Sequence, residues 1–488
     1  MSVFPNSPSD SLVEYERRLR SFVDPVGLPS VAYGVSRGQD TLLLGAFGDA
    51  NKDGGVRATP KTPYSLASIS KPLTAAGIAL LAARGELDLD APIDDYLGGP
   101  RLTSRAGDAR LATVRRVANH SSGLPLHAQF FYSDEPYIRP PISETIRRYG
   151  KTLTVPGGRY RYSNLGYGLL DHVISQVSGR PYAEFMRDEV FLPLGMSGAS
   201  IDAPADGNYA RSYGPDGVAY PTYTFDHPGG SAAYASVEDL LAFGRFLLGL
   251  GPSLLSPVQL KEILRPTMAT DPQRCLLLGG YGLGWASNFD RLGVGVFVHT
   301  GYMGGVSTVL RLVPELDLVI VTLSNGQSSF AGDSADEALA ALLPEFRDEL
   351  ERERGMPAPP AAEKPLPKFV WGIWDGFVEL ADGKLPLRLE LGPKEGRAIL
   401  DGVESPIGEL QFRDGEILGV FDGTIPEEDA ARFPHRIHLQ LTARLEAALD
   451  VSLSGACVAI ARADSPGGAP GHRMGNAASF WTELRRKT

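Results

Sequence analysis

Tyr64 to Glu86 reads YSLASISKPLTAAGIALLAARGE. From Leu73 to Ala83 only Thr74 interrupts an apolar or glycine run, the pattern of a helix packed on all sides rather than one lying on a surface. Lys71, at the mouth of that helix, is therefore out of character. Residues 1 to 353 hold only five lysines: Lys52, Lys61, Lys71, Lys151 and Lys261. Arginine, which the chain uses far more, cannot lose its proton in a protein. A desolvated lysine near a helix N-terminus can be neutral and act as a base. Ser68 lies three residues earlier, and positions i and i+3 share a helix face. The stretch reads as nucleophile and base in the S-x-x-K arrangement. Taken alone, the same pair could be an N-cap serine with a lysine snorkelling to water.

A chain of 488 residues suggests two or three domains, and 43% hydrophobic with 22% charged residues is the composition of a globular protein. A net charge of -11, with no basic tract, disfavours nucleic-acid and anionic-membrane partners. The N-terminal stretch MSVFPNSPSDSLVEYERRLRSF lacks the pattern of a secretory signal, and no apolar run is long enough to span a bilayer. Cys275 and Cys457 form no metal or redox spacing. These features lead us to expect a cytoplasmic protein with free thiols.

A first helix is expected near residues 10 to 22, followed by SVAYGVSRGQDTLLLGAFGDA, two strands around a polar turn. A helical middle section contains GYGLLDHVISQVSG and SVEDLLAFGRFLLG. GVGVFVHTG, VSTVLRLVP and LDLVIVTLSNG then read as successive antiparallel strands, and SADEALAALLPEFRDELERERG as one closing helix. The fold class expected is α/β of the α+β kind, an antiparallel sheet built from both ends of residues 1–353 with a helical lobe inserted. Residues 354–368 are rich in proline and alanine and read as a linker. Residues 369–488 show short strands punctuated by Asp-Gly turns, a meander closing into a barrel or sandwich without a catalytic constellation.

Two further motifs partner Ser68. In PGGRYRYSNLGYG, Tyr162 and Asn164 flank Ser163 at the start of a helix. In VHTGYMGG, His299, Thr300 and Gly301 end an apolar strand. Each occurs once, in the order S-x-x-K, Y-x-N, H/K-T-G. With segments such as VRRVANHSSGLP, LPLGM, PGGSAAYASVEDLLAFGRFLL and GYGLGW, the chain over residues 10 to 350 resembles the penicillin-recognising serine hydrolases, in their class C β-lactamase, D-aminopeptidase and esterase branch.

A serine hydroxyl attacks a carbonyl poorly unless a base removes its proton. Lys71 can serve if neutral, Tyr162 can relay the proton to the leaving group, and Asn164 can donate its amide to the substrate carbonyl or orient Lys71. By resemblance, the backbone N–H groups of Ser68 and Tyr302 form the oxyanion hole. The family's β-lactamases usually carry lysine in the third motif to bind a substrate carboxylate; His299 replaces it here. That departure favours the aminopeptidase and esterase members.

The resemblance implies a metal-free, cofactor-free serine hydrolase working through acyl-Ser68 on an amide or ester, with a small-molecule or short-peptide substrate. Small peptides or amides containing D-residues come first. A carboxylesterase, a transacylase or peptide cyclase, a true β-lactamase and a non-enzymatic β-lactam sensor are the alternatives. D-aminopeptidases pair this catalytic domain with β-barrels, and the C-terminal domain, expected to be a lipocalin-like barrel, is assigned to shaping access to the site or to homo-oligomerisation.

Overall fold

The computed structural model describes residues 8–269, 279–288, 295–355, 365–413, 415–445, 451–462 and 474–487. The N-terminal strands follow the polar-turn reading. β1 (Ser30–Arg37) and β2 (Asp40–Asn51) pair as a hairpin, and β3 (Val56–Arg57) extends β2. The later strands are β4 (Gly280–Tyr281), β5 (Ala286–Asn288), β6 (Val296–Met303), β7 (Val306–Val313) and β8 (Leu318–Ser324). Together they form one antiparallel sheet in the order β4-β5-β6-β7-β8-β1-β2-β3. The closing pair is β1 with β8, Val31 opposite Ser324 to Arg37 opposite Leu318, which joins the two ends of the segment. β7 and β8 are buried at every position, as strands covered on both faces must be.

Helix α1 (Pro8–Val26) packs Leu12, Tyr15 and Leu19 into the apolar cluster on one face of this sheet. Against the other face lies the inserted lobe, with α2 (Ser70–Ala83), α3 (Asn164–Ser178) and α4 (Val237–Leu247) at its centre. α2 is buried from Ser70 through Leu81, so its lack of a polar stripe matches a helix surrounded by protein. Thr74, the one polar interruption, has its Oγ1 2.7 Å from Gly229 O, 3.0 Å from Ser70 O and 2.7 Å from Tyr182 Oη.

Two expectations are corrected. Ser68 does not belong to the α-helix: it occupies a 3₁₀ turn, Ala67–Ile69, and α2 begins at Ser70. Ala67 adopts φ 48°, a left-handed conformation outside any right-handed helix. The single closing helix is two, α5 (Phe330–Leu342) and α6 (Pro344–Gly355), because a proline cannot continue the ladder of the helix before it.

The C-terminal strands are β9 (Gly372–Leu380), β10 (Gly383–Leu391), β11 (Gly396–Leu400), β12 (Val403–Pro406), β13 (Gly408–Arg413), β14 (Glu416–Asp422), β15 (His435–Leu445), β16 (Val451–Ala461) and β17 (Ala477–Arg486). All neighbours pair antiparallel, in the order β12-β11-β10-β9-β17-β16-β15-β14-β13. The sheet curls until its ends nearly meet: the Asp422 N–H on β14 donates to Ser405 Oγ on β12 at 3.1 Å. His435 and His438 lie on opposite faces of β15, as their odd spacing requires, His435 buried and His438 half-buried. Most of the proline-rich stretch, residues 356–364, and Cys275 lie outside the described residues.

The barrel-like sheet is packed onto the lobe. Ala128 and Ala477 exchange backbone hydrogen bonds at 2.9 and 2.8 Å, and the Tyr132 hydroxyl donates to Met474 O at 2.9 Å. The buried Arg161 guanidinium reaches Gln440 Oε1 at 2.6 Å and also bonds Glu416, itself buried. Arg161 immediately precedes Tyr162 in the chain.

Candidate active site

The Ser68 turn is clamped from several directions. Leu66 N–H donates to Ala233 O at 2.9 Å, Ser70 Oγ donates to Ala67 O at 2.7 Å, and the Ala233 N–H returns to Ser70 Oγ at 2.9 Å. These bonds hold Ala67 in a conformation that costs an L-residue about 1–2 kcal/mol, leaving Ser68 at the wall of a cavity.

The cavity, of about 520 Å³, is lined by Ser68, Tyr162, Asn164, His299 and Tyr302 among others. Lys71 lies beneath them, fully buried. Its Nζ meets Ser68 Oγ at 3.1 Å, Asn164 Oδ1 at 2.9 Å and Gly230 O at 2.8 Å. The Tyr162 hydroxyl lies 2.8 Å from the same Ser68 Oγ.

Two effects compete over the charge on Lys71. The faces of Tyr162 and Tyr167 lie 4.8 and 5.5 Å from Nζ and favour a cation by about 1–2 kcal/mol. Burial disfavours it by several kcal/mol, and the N-terminal position on α2 adds a few tenths more. Burial wins, holding the amine well below its usual value. A neutral amine also fits the contacts. Asn164 Oδ1 and Gly230 O can only accept, so both remaining N–H groups are committed to them, and the lone pair is left for the Ser68 hydroxyl.

Ser163 caps α3, its Oγ accepting from Gly166 N–H at 3.0 Å and donating to Pro125 O at 2.6 Å. This cap fixes Tyr162 just before the helix and Asn164 at its first position. With its oxygen given to Lys71, Asn164 keeps an amide donor for a ligand.

β5 pairs with β6 only from Val296 to Val298, so His299 to Met303 present an edge to the Ser68 turn. The approach is close at Gly301, where a Cβ would fall 2.1 Å from Leu66 O and 2.2 Å from Thr308 Oγ1. No larger residue fits there. Next to it, Tyr302 puts its backbone on the same edge as the Ser68 turn and leaves its side chain exposed.

His299 is buried, and burial above all lowers its imidazole to about 3. Its Nδ1–H faces Thr300 O at 2.9 Å, which leaves Nε2 to accept from the Tyr281 hydroxyl at 2.8 Å. It is therefore a neutral, already bonded group.

The structure places Ser68, Tyr162, Asn164, His299 and Tyr302 on the cavity wall, Lys71 beneath Ser68 and Gly301 against the Ser68 turn, and adds others. His120, at φ 60°, stacks between Tyr162 at 4.3 Å and Tyr281 at 4.7 Å, and its Nδ1 accepts from the Ser163 N–H at 3.1 Å. Burial holds it neutral. His120 and Tyr281 thus tie the Y-x-N and H-T-G motifs together. Both sit in segments that carry the family resemblance, VRRVANHSSGLP and GYGLGW, the only signal that could have found them. Ile460, Met474 and Ala477 bring a wall of the cavity from the C-terminal sheet. Among the described residues lining the cavity there is no lysine, arginine, aspartate or glutamate. Among the described residues, no group of three or more histidine, cysteine or acidic side chains is arranged to hold a metal ion, and no helix is long and apolar enough to cross a membrane.

A family model described as Beta-lactamase matches residues 16–344. The Unguisins hydrolase ungD' of Aspergillus campestris is 25% identical over 338 residues, covering 65% of this chain and 63% of that protein. The chain thus spans less than two thirds of that relative's length. Among solved structures, the octameric penicillin-binding protein homologue from Pyrococcus abyssi aligns with a TM-score of 0.60 at 19% identity, over 97% of this chain and 100% of that one. SurE with D-Leu aligns with a TM-score of 0.61 at 22% identity, over 91% of this chain and 97% of that one. Both likenesses concern the fold, and both extend through the C-terminal sheet.

Proposed function

The chain belongs to the β-lactamase family of serine hydrolases, and from that premise we propose that it cleaves small amides or esters through an acyl-Ser68 intermediate. The observation that carries this reading is the fully buried Lys71 amine, held by Asn164 Oδ1 and Gly230 O with Nζ 3.1 Å from Ser68 Oγ. As Ser68 Oγ attacks the substrate carbonyl, Lys71 takes its proton. The oxyanion is received by the backbone N–H groups of Ser68 and Tyr302, and the Asn164 amide steadies the substrate carbonyl side. Tyr162 gives its hydroxyl proton to the leaving group and takes back in its place the proton held by Lys71. Water, or an amine in a transfer reaction, then releases the acyl group by the reverse route.

The substrate reading is small peptides or amides with D-residues. It is supported by the likeness to SurE with D-Leu and by His299 standing, among the described lining residues, where a β-lactamase carries the cation for the substrate carboxylate. A carboxylesterase is the second reading, favoured by the apolar wall of Phe130, Met303, Ile460 and Met474. The C-terminal sheet is proposed to select substrates through that wall, and the octameric relative makes self-assembly part of the same proposal.

The deciding experiment compares D- and L-alanine p-nitroanilides, p-nitrophenyl butyrate and nitrocefin. The D-anilide is expected to lead in kcat/KM, with nitrocefin poorest. Nitrocefin turnover matching the best anilide or ester would overturn the reading of His299 and put a β-lactamase first.

A further inference from the structure

One buried cluster at the cavity has no part in the chemistry above. Asp226 is completely buried, and both its oxygens are taken by imidazoles: Oδ2 by His127 Nε2 at 2.5 Å and Oδ1 by His227 Nδ1 at 2.6 Å. The Gln129 N–H adds a third bond to Oδ1 at 3.2 Å. Burial alone would raise the Asp226 carboxyl, yet the two imidazoles hold it below its usual value, so it is an anion inside the protein. Burial keeps His227 below the ordinary histidine value, with Asp226 opposing only in part.

These contacts settle the His227 tautomer. A carboxylate only accepts, so the ring proton lies on Nδ1, and Nε2 carries a bare lone pair. His227 lines the cavity that holds Ser68 and Asn164, and its side chain is 2% exposed. Nε2 is the one polar atom that this ring has left to offer. The turn Pro228–Ser231 that follows also carries Gly230 O, the acceptor of Lys71, so the two groups sit on one rigid piece of backbone.

We propose that the Asp226–His227 pair is a specificity subsite in which His227 Nε2 accepts a hydrogen bond from a primary ammonium on the acyl part of the substrate. This rests on the acyl-Ser68 reading and names the substrate class it serves. A carboxylate behind an imidazole makes the far nitrogen a stronger acceptor and supplies the negative charge that a cation needs where none of the described lining residues is acidic. A neutral hydroxyl or amide would gain the hydrogen bond but not the charge. Lys71 already occupies the base position beside Ser68, so the pair is placed to select rather than to react.

The test uses the full-length chain and two anilides differing only in the amine: D-alanine p-nitroanilide and propionyl p-nitroanilide. In His227→Asn the side-chain amide can replace the Nδ1 donor while the Nε2 acceptor is removed. The ratio of the two kcat/KM values, amine over des-amino, is expected to fall about tenfold or more. His227→Gln, whose amide oxygen can reach the Nε2 position, should recover part of it. Equal falls on both substrates, an unchanged ratio, or a wild type with no preference for the amine would overturn the proposal. A second measurement needs no variant. Protection of wild-type Ser68 from a fluorophosphonate should be stronger with n-propylammonium than with n-propanol, and equal or absent protection overturns the subsite. Labelling that persists in Ser68→Ala overturns instead the reading on which the subsite rests.

Discussion

Replacing Lys71 by arginine separates a proton acceptor from a fixed charge. In the native protein Nζ is fully buried, gives its two N–H groups to Asn164 Oδ1 and Gly230 O, and lies 3.1 Å from Ser68 Oγ. A guanidinium could reach the same acceptors but has no lone pair for the serine proton. A positioned base contributes about 10²–10⁴ in rate, so Lys71→Arg should lower kcat/KM on an activated anilide by roughly 10³, or about 4 kcal/mol of barrier. Lys71→Ala should lose about as much. The wild-type profile supplies a companion test. Activity requires the unprotonated amine, so kcat/KM must rise as pH rises through the Lys71 value, which burial places well below 10.5. The assay is stopped-flow release of p-nitrophenol or p-nitroaniline from pH 5 to 10, with circular dichroism to confirm folding. A folded Lys71→Arg variant within tenfold of wild type would refute the reasoning and make Lys71 an electrostatic residue.

Gly301→Ala would set a methyl against Leu66 O and Thr308 Oγ1 at 2.1 and 2.2 Å, so we expect a loss of about 1–3 kcal/mol by urea unfolding and much slower Ser68 labelling. Labelling at the wild-type rate would mean that β6 does not seat the Ser68 turn. Glu416→Ala leaves the buried Arg161 without its carboxylate, and a destabilisation of about 3–5 kcal/mol is expected by the same method. A change under 1 kcal/mol would show the cross-sheet pair to be unimportant. For His299, the folded value of about 3 lies below the unfolded 6.5, so between those limits only the unfolded chain takes the proton. Stability should therefore fall as pH falls through that window, by up to about 1.4 kcal/mol per unit. Urea midpoints at pH 7 and 4.5 should differ less in His299→Gln than in wild type, and equal differences would contradict the burial of a neutral imidazole.

The motif residues were legible because their chemistry demands particular side chains at short spacing. Lys71 stood out as a cation in an apolar helix, and the structure gives it the burial that this pattern implied. The β-strands of the sheet were legible from runs such as Val306–Val313, whose every residue is covered. The turn at Ser68 was not. Its geometry comes from Ala67 at φ 48°, which no alanine announces and which only the bonds to Ala233 and the approach of Gly301 make affordable. Long-range partners were equally hidden. Asp226 and His127 lie 99 positions apart, and Asn476 accepts the Phe130 N–H across 346 positions. No local periodicity encodes such contacts. The apolar wall from Ile460 and Met474 was invisible for the same reason, since in sequence they are ordinary residues of a β-rich segment.

The central claim is that Ser68 becomes acylated with Lys71 as its base. Intact-mass spectrometry after brief mixing with p-nitrophenyl acetate, quenched in acid, tests it most directly. The wild type should gain about 42 Da on the peptide containing Ser68, by arithmetic for one acetyl group replacing a hydrogen. Ser68→Ala should gain nothing, and Lys71→Arg should gain it orders of magnitude more slowly. An adduct on another residue, or an adduct of equal rate in Ser68→Ala, would contradict the account.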